Sequence, residues 1–590
     1  MPTALMSLLL LLIDMFIRGF QLEISVKSIL IYALFFMLTF SILLFLKNIL
    51  YAIPWRGLRR FTAIIVSLIY TGIYLLQYNL YLIYHTFAQD GVIDTIVADY
   101  SYWLSNSLML ITPKVFVAFI VLFALFYLFF SNTVERKIEN RSTIKERSLI
   151  LLLLLALLLT SHKKITFYSY LLLPVESFAA ELVHYIRTER TDHSKAPKRN
   201  SEAISRKKLN FNILLLVNES LRSDHLNIFG YRKNTSPHIS KFFKESYTFK
   251  NTISQVCATS PSLETIFTGL YHTVGKSSKS STLWSYMSQL GFETFYFGSQ
   301  TLSWSGGLDK WFLEKSYIDK LYSPSISNSA AGQDDSITID AFSAYIPSVK
   351  KPFFGVIHFN DTHYPYLEHP ESDPFSPVSH ELKLSKVDAL QNAYDNAIYS
   401  LDIQFEKLIE ALKKSGKLQN TIIIFFSDHA EGFGNHRQLF HTFVFWIEGI
   451  RTPLMIHIPE KLEKNFDPKQ LEQLRKNSAR YVGNIDIFPT IIELLDINIS
   501  KKLDGRSLLQ DDDGYIFSTM TYDDKKFTYV GRLTGEKFTF DNEKMKIYHS
   551  CLHTDPKELH FEEYDASTKY NRVSGMKLIQ SGELHTTRCR

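Results

Sequence analysis

At 590 residues, 46% of them hydrophobic and 21% charged, the chain exceeds one ordinary domain, and a net charge of +5 leaves no basic surface of the size that nucleic acid binding needs. The three cysteines, Cys257, Cys551 and Cys589, fall in no CxxC or Cys/His spacing, which excludes a zinc finger and leaves oxygen and nitrogen ligands for any metal. Apolar runs concentrate in the first ~160 positions, so a two-part architecture is expected.

Five apolar segments come first, at 4–20, 28–46, 62–86, 115–131 and 148–162. Each is close to the ~20 residues a helix needs to cross a bilayer. The last is the shortest and also fits a buried soluble helix, but Leu149–Leu159 is a dense leucine run continuing an array of four others. The first also fits a cleaved signal peptide, yet it lacks a positive start and a clear small-residue cleavage site. Within it Asp14 faces a helix interior or a polar partner or, being near a helix end, is simply solvated.

Basic residues orient these spans, because positively charged loops stay in the cytoplasm. Lys47, Arg56, Arg59 and Arg60 separate the second and third segments, and Arg136, Lys137, Arg141, Lys145 and Arg147 the fourth and fifth. The loop from His85 to Pro113 carries Asp90, Asp94 and Asp99 with no Lys or Arg, which marks it as external. Everything after the fifth span then also lies outside. Thr188–Lys208 is polar, basic and without apolar periodicity, and reads as a tether. The expected division is a transmembrane domain at 1–165, a linker at 166–208 and a catalytic domain at 209–590.

From Phe211 onward, Phe211–Val217, Phe353–Phe359, Thr421–Phe426 and Pro453–Ile458 read as fully buried parallel strands, and Ala393–Lys414 has helical spacing. Strands covered on both faces by helices imply an α/β layered domain whose ligands bind beyond the carboxyl ends of the strands. Polar residues gather there. The first run ends in Asn218-Glu219-Ser220 and the third in Ser427-Asp428-His429, a carboxylate, an acid and an imidazole suited to a catalytic divalent ion such as Zn²⁺. Ser427-Asp428-His429 alone also fits a capped helix start.

Between these elements lies Cys257-Ala258-Thr259-Ser260-Pro261-Ser262, ahead of a short helix ending at Thr268-Gly269. A Thr hydroxyl is a weak nucleophile that metal coordination can activate, and a helix start favours an incoming phosphate; the competing role for Thr259 or Ser260 is a plain N-cap. His363 and His441 follow strand-like runs and are candidates to hold phosphate oxygens or move protons. His358 and His436 read as ordinary structural histidines. Asp334 and Asp335 face the cleft or, as acidic pairs usually do, form solvated helix caps, and they are left out of the expected site. Cys551 and Cys589 are able to pair in an exported domain, and Cys257 reads as a small buried residue.

Together these residues resemble the sulfatase and phosphoethanolamine-transferase branches of the alkaline phosphatase superfamily. Thr259-Ser260-Pro261-Ser262 through Thr268-Gly269 matches the sulfatase signature, with Thr where sulfatases carry the Cys or Ser precursor of formylglycine. A Thr nucleophile is what membrane phosphoethanolamine transferases and lipoteichoic acid synthases use, both with five membrane helices ahead of an external catalytic domain. In that likeness Glu219 stands in their G-E-x-x-R element with Asn218 for Gly, and Asp428 to Gly434 matches S-D-H-G-E-x-x-G with Ala430 for Gly. His441 falls at L-H-G and His363 at S-H-G-P. Leu110 to Lys114 is similar to the L-T-P-K ending of the transferases' periplasmic loop. Ser305, ahead of Gly306-Gly307-Leu308-Asp309, departs from the lysine often found there. Arg451-Thr452-Pro453-Leu454, Asp486 to Thr490 and Asp504 to Leu508 resemble sulfatase scaffold elements.

The resemblance implies a five-helix transmembrane domain followed by a sulfatase-like α/β/α domain, in the bacterial inner membrane with the catalytic part in the periplasm. It implies Zn²⁺, or another divalent cation such as Mn²⁺, on Glu219, Thr259, Asp428 and His429, with Thr259, His363 and His441 catalytic. The implied reaction moves phosphoethanolamine from phosphatidylethanolamine to a membrane glycolipid or glycan, lipid A or the lipopolysaccharide core, through a phospho-threonine. Phosphoglycerol transfer, sulfatase-type hydrolysis and a silent sulfatase-shaped lipid-binding protein are the competing expectations.

Overall fold

The computed structural model describes residues 3–17, most of 39–84, 113–131 and, from 210 on, all but short segments such as 272–279, 303–311 and 442–445. The chain divides into two compact units, Met1–Thr191 and Asp192–Arg590.

In the first unit, apolar runs without interior proline form α1 (Thr3–Ile17), α2 (Arg56–Tyr84) and α3 (Pro113–Ser131). Tyr70, Tyr74, Phe126 and Phe130 form an aromatic seam between α2 and α3, with Tyr70 and Phe126 5.2 Å apart edge to face. Two hydroxyls within α2 are satisfied locally: Ser67 and Thr71 donate to carbonyls four residues back, at 2.7 and 2.8 Å. Asp14 is fully buried and accepts a 3.0 Å bond from the Tyr78 hydroxyl.

Among the described residues one helix, over Arg56–Leu75, is long and apolar enough to cross a membrane, with Thr3–Asp14 and Val117–Ser131 shorter apolar helices. The expected segment at 148–162, most of that at 28–46, the acidic loop, the tether and Ser305 to Asp309 lie outside the described residues.

The second unit is built on an eight-stranded sheet in the order β10-β2-β9-β6-β1-β5-β3-β4. Its strands are β1 (Asn212–Asn218), β2 (Tyr247–Ile253), β3 (Glu293–Gly298), β4 (Lys320–Tyr322), β5 (Phe353–Phe359), β6 (Thr421–Ser427), β9 (Arg451–His457) and β10 (Tyr481–Gly483), with β7 (Gly432–Phe433) and β8 (Leu439–Phe440) forming a separate hairpin. The helices used below are α4 (Thr259–Thr268), α5 (Asp335–Tyr345), α6 (Val387–Lys414) and α7 (Ile447–Ile450).

β1 lies centrally, parallel to β5 and β6. Ile213, Leu215 and Val217 pack with Leu263, Ile266 and Trp284, whereas Leu214 and Leu216 pack with Leu390, Tyr394 and Ile398. Burial on both faces explains the unbroken apolar run.

The expected parallel strand at Pro453–Ile458 forms as β9, but it runs antiparallel to both β2 and β6. An apolar run buried on two faces reports burial and carries no direction. The helix expected at Ala393–Lys414 starts earlier, at Val387, and its added turn buries Leu390 fully in the core.

A second, antiparallel sheet follows: β11 (Tyr515–Thr519), β12 (Lys526–Gly531), β13 (Glu536–Asp541), β14 (Lys546–Cys551) and β15 (Glu562–Asp565). It joins the segment before α4 through a bridge between Val256 and Thr519, with Thr519 N–H donating to Gln255 O at 2.8 Å. Cys551 and Cys589 form a disulfide across a Cα–Cα distance of 5.6 Å, and Cys257 is buried.

Candidate active site

β1, β5 and β6 end side by side, so the residues that follow them meet at one edge of the sheet. Ser220 takes a left-handed conformation, φ 55°, in the turn directly after β1. A non-glycine residue held there costs of order 1 kcal/mol or more, and surrounding bonds enforce it: Ser220 N–H donates to Asp428 Oδ1 at 3.1 Å and the Tyr394 hydroxyl donates to Ser220 O at 2.7 Å. Glu219 is thereby placed beside α4.

Thr259 is the first residue of α4; Ala258 occupies the cap position and makes no side-chain cap bond. The Thr259 hydroxyl instead donates to Glu219 Oε1 and lies 3.3 Å from His429 Nε2. That removes the N-cap role weighed for Thr259. Gly269 closes the helix at φ 68°, where a Cβ would meet Leu503 and Phe488 at 2.9 and 3.0 Å.

Asp428 and His429 leave β6 without starting a helix. Asp428 Oδ1 accepts from the N–H groups of Ser220 and His429, at 3.1 and 2.7 Å, so its bonds are those of a strand-exit turn, not of a helix cap. Asp428 Oδ2 is buried and accepts no hydrogen bond from the described residues. His429 Nδ1 lies 3.0 Å from Ala430 O, which places the lone pair of the neutral ring on Nε2, 3.5 Å from both Glu219 Oε1 and Asp428 Oδ2.

Ligand atoms of Glu219, Asp428 and His429 all lie within 4.8 Å of one another, and all three residues are buried. Two carboxylates, an imidazole and an adjacent hydroxyl form a donor set that fits a divalent cation, and the orphaned Asp428 oxygen points to one.

Electrostatics agree with a site that attracts positive charge. Burial opposes ionising Glu219, but bonds from His358 and His429 hold it well below the usual carboxylate range. Burial and the Glu219 charge push Asp428 up to about 7. Burial lowers His429, yet Asp428 and Glu219 outweigh it and raise the imidazole.

His358 is not an ordinary structural histidine. It sits one residue before the end of β5, with Nε2 3.0 Å from Glu219 Oε2 and Nδ1 3.0 Å from the Tyr296 hydroxyl. An ionisable side chain inside a fully buried strand was the available signal. Replacing His358 by Leu, which keeps bulk and removes the donor, is expected to weaken Zn²⁺ binding about 10- to 100-fold. Calorimetric titration of the full-length protein reads this, and unchanged affinity would show that Glu219 does not depend on the bond.

His363 and His441 come together with ring centroids 5.2 Å apart, and His441 lies 4.5 Å from His429. Each commits Nδ1 to a protein oxygen: His363 to Tyr364 O at 2.6 Å and His441 to Glu431 Oε2 at 3.3 Å. Burial and the neighbouring His441 take His363 down to about 4, and burial and His429 take His441 well below its ordinary value, so both rings are neutral at pH 7.

Glu431, quoted in the motif but not among the expected site residues, is fully buried between His441 and the Tyr366 hydroxyl, the latter at 3.2 Å. Asp335 is no solvated cap either. It is fully buried and accepts from the N–H groups of Asn360 and Asp361, at 2.8 and 3.0 Å, which braces the loop carrying His363. Asp334 does cap α5, accepting from Ser336 N–H at 2.7 Å.

Residues 211–497 match the family described as sulfatase. The chain is 27% identical over 202 residues to an arylsulfatase of Clostridium perfringens, covering 32% of this chain and 40% of that protein. It is 23% identical over 304 residues to the Kdo(2)-lipid A phosphoethanolamine 7''-transferase of Escherichia coli, covering 48% of this chain and 51% of that protein. The chain thus spans about half the length of the curated relatives it matches. Among solved structures, the integral membrane lipooligosaccharide phosphoethanolamine transferase A from Neisseria meningitidis matches with a TM-score of 0.60 at 17% identity, over 84% of this chain and 95% of that one. At that identity the match establishes fold.

Proposed function

Starting from a chain whose residues 211–497 form a sulfatase-family domain, we propose that this protein is a membrane transferase that moves phosphoethanolamine from phosphatidylethanolamine to an envelope glycolipid, lipid A or the lipopolysaccharide core, by way of a phospho-threonine at Thr259. The observation that carries the reading is the Thr259 hydroxyl, first in its helix, bonded to Glu219 and 3.3 Å from His429. The names of the Escherichia coli and Neisseria meningitidis proteins support the same class.

In the first step the Thr259 oxygen attacks phosphorus, the bond from phosphorus to the diacylglycerol oxygen breaks, and diacylglycerol leaves with a proton. In the second, an acceptor hydroxyl oxygen attacks phosphorus, the Thr259–phosphorus bond breaks, and the Thr259 oxygen regains a proton. Glu219, already the acceptor of the Thr259 hydroxyl bond, holds that proton's direction. A divalent cation bound by Glu219, Thr259, Asp428 and His429 would supply Lewis-acid stabilisation of charge on the phosphoryl oxygens and lower the proton affinity of the alcohol. Neutral His363 and His441 are placed to exchange protons with the leaving and attacking oxygens. The amide groups at the start of α4 favour an anion in front of Thr259.

The proposed layout keeps five membrane helices at 1–165, a periplasmic linker at 166–208 and the catalytic domain at 209–590, with donor and acceptor both confined to the inner membrane, where encounter is local. The Cys551–Cys589 disulfide favours an oxidising compartment. A Thr in place of Cys or Ser speaks against sulfate-ester chemistry.

Incubating the detergent-purified protein with phosphatidylethanolamine or phosphatidylglycerol, then sequencing the Thr259 peptide by mass spectrometry, tests the donor. A phosphoethanolamine adduct from the first lipid is expected. A glycerol-phosphate adduct from the second alone would replace this reading by phosphoglycerol transfer.

A further inference from the structure

The β7–β8 hairpin, which lies between Glu431 and His441, is pinned at its tip to two other elements. Its turn is closed by Gly434 N–H donating to Gln438 O at 2.7 Å, and His436 projects from it. His436 Nδ1 lies 2.7 Å from Glu448 Oε1 on α7, and Nε2 lies 2.8 Å from the backbone oxygen of Glu558, just before β15. The ring stacks on Trp446 at 4.1 Å and 8°.

A carboxylate and a carbonyl oxygen both accept, so bonds at both nitrogens require N–H on both, and the ring is an imidazolium. The groups around it balance that charge. Glu448 faces it from α7. The Glu558 carboxylate takes Lys537 Nζ of β13 at 2.6 Å, the Ser550 hydroxyl of β14 at 2.9 Å and Ile447 N–H at 2.9 Å. Lys537 is fully buried, with Nζ 5.6 Å from the Trp446 ring. Arg437 is the one other ionisable residue in the turn 434–438.

We infer that His436 is a positioning residue: as an imidazolium it clamps the hairpin between Glu431 and His441 onto α7 and the C-terminal sheet, and it releases the hairpin on losing its proton. The catalytic consequence, though not the clamp, rests on the function proposed above. Burial opposes the charge, but the bonds to Glu448 and Glu558 prevail and raise the imidazole above its ordinary value. A raised basic group stabilises the folded arrangement at low pH, and this contribution is lost as pH rises through the folded-state value.

Hydrogen–deuterium exchange of the full-length protein in detergent, with no substrate present, reads the clamp directly. After correction for intrinsic chemistry, amides of 432–441 are expected to exchange roughly tenfold faster at about pH 9 than at about pH 6, while β6 stays protected at both. His436→Gln is expected to exchange fast in this segment at both pH values. Equal protection at the two pH values in the natural protein, or a Gln variant indistinguishable from it, overturns the clamp; if the variant does not fold, the pH series decides alone. Where transfer is measurable, His436→Gln is expected to lower kcat about tenfold with the donor KM little changed. A change in KM alone overturns the positioning of His441 and leaves the exchange result to judge the clamp.

Discussion

Thr259→Ala is expected to lower transfer roughly 10³- to 10⁶-fold and to abolish the covalent adduct, while the protein still folds and binds Zn²⁺. The size follows from the residue's place in the chemistry. Without the alcohol there is no two-step route, and what remains is direct attack by the acceptor in a site that still binds and polarises the donor. Folding is spared because Thr259 caps nothing: the cap position belongs to Ala258, and the hydroxyl's bond goes to Glu219, which keeps His358 as a partner at 3.0 Å. A stability loss of about 1 kcal/mol is therefore expected from the missing bond. Thr259→Ser, which retains an alcohol, should recover adduct formation. Adduct mass spectrometry and steady-state transfer read the outcome together, and an alanine variant within tenfold of the natural protein would remove Thr259 from the mechanism.

The residues at strand exits were legible in the sequence because physics confines polar groups there. β1, β5 and β6 are buried on both faces, so Glu219 and Asp428 stand out where the apolar runs stop. His358 was hidden by the same logic, since it lies inside such a run and only the three-dimensional register sets it against Glu219. The direction of β9 was likewise not encoded in its burial. In the second sheet, alternation such as Phe527-Thr528-Tyr529 and Phe538-Thr539-Phe540 does carry the period of two. Lys537 keeps that alternation, on the side of Thr539, but its full burial was not legible, because it depends on Glu558, 21 residues away. His436 escaped notice for the same reason, its partners lying 12 and 122 residues away.

Asp428→Asn is expected to strip the divalent cation and lower transfer at least ~10³-fold, because Lewis-acid stabilisation is worth several kcal/mol and each 1.4 kcal/mol is tenfold. The isosteric amide leaves an acceptor for Ser220 and His429 N–H while removing the charge from a buried oxygen that accepts no hydrogen bond from the described residues. The same oxygen dictates a pH dependence. Before a cation binds, burial and the Glu219 charge push Asp428 up to about 7. Ionising Asp428 therefore costs folding stability as pH rises from the ordinary carboxylate range toward that value, the sign for an acid whose folded pKa is raised. A cation removes that cost and must displace protons to enter, so its affinity grows as pH rises. The increase in Tm on adding Zn²⁺ should accordingly be small near pH 5 and large near pH 8 in the natural protein, and small at both in Asp428→Asn. Elemental analysis after dialysis and a thermal melt at each pH measure both effects. Zinc retained by the Asn variant, or a Tm increment that does not change with pH, would place the cation elsewhere than among Glu219, Thr259, Asp428 and His429.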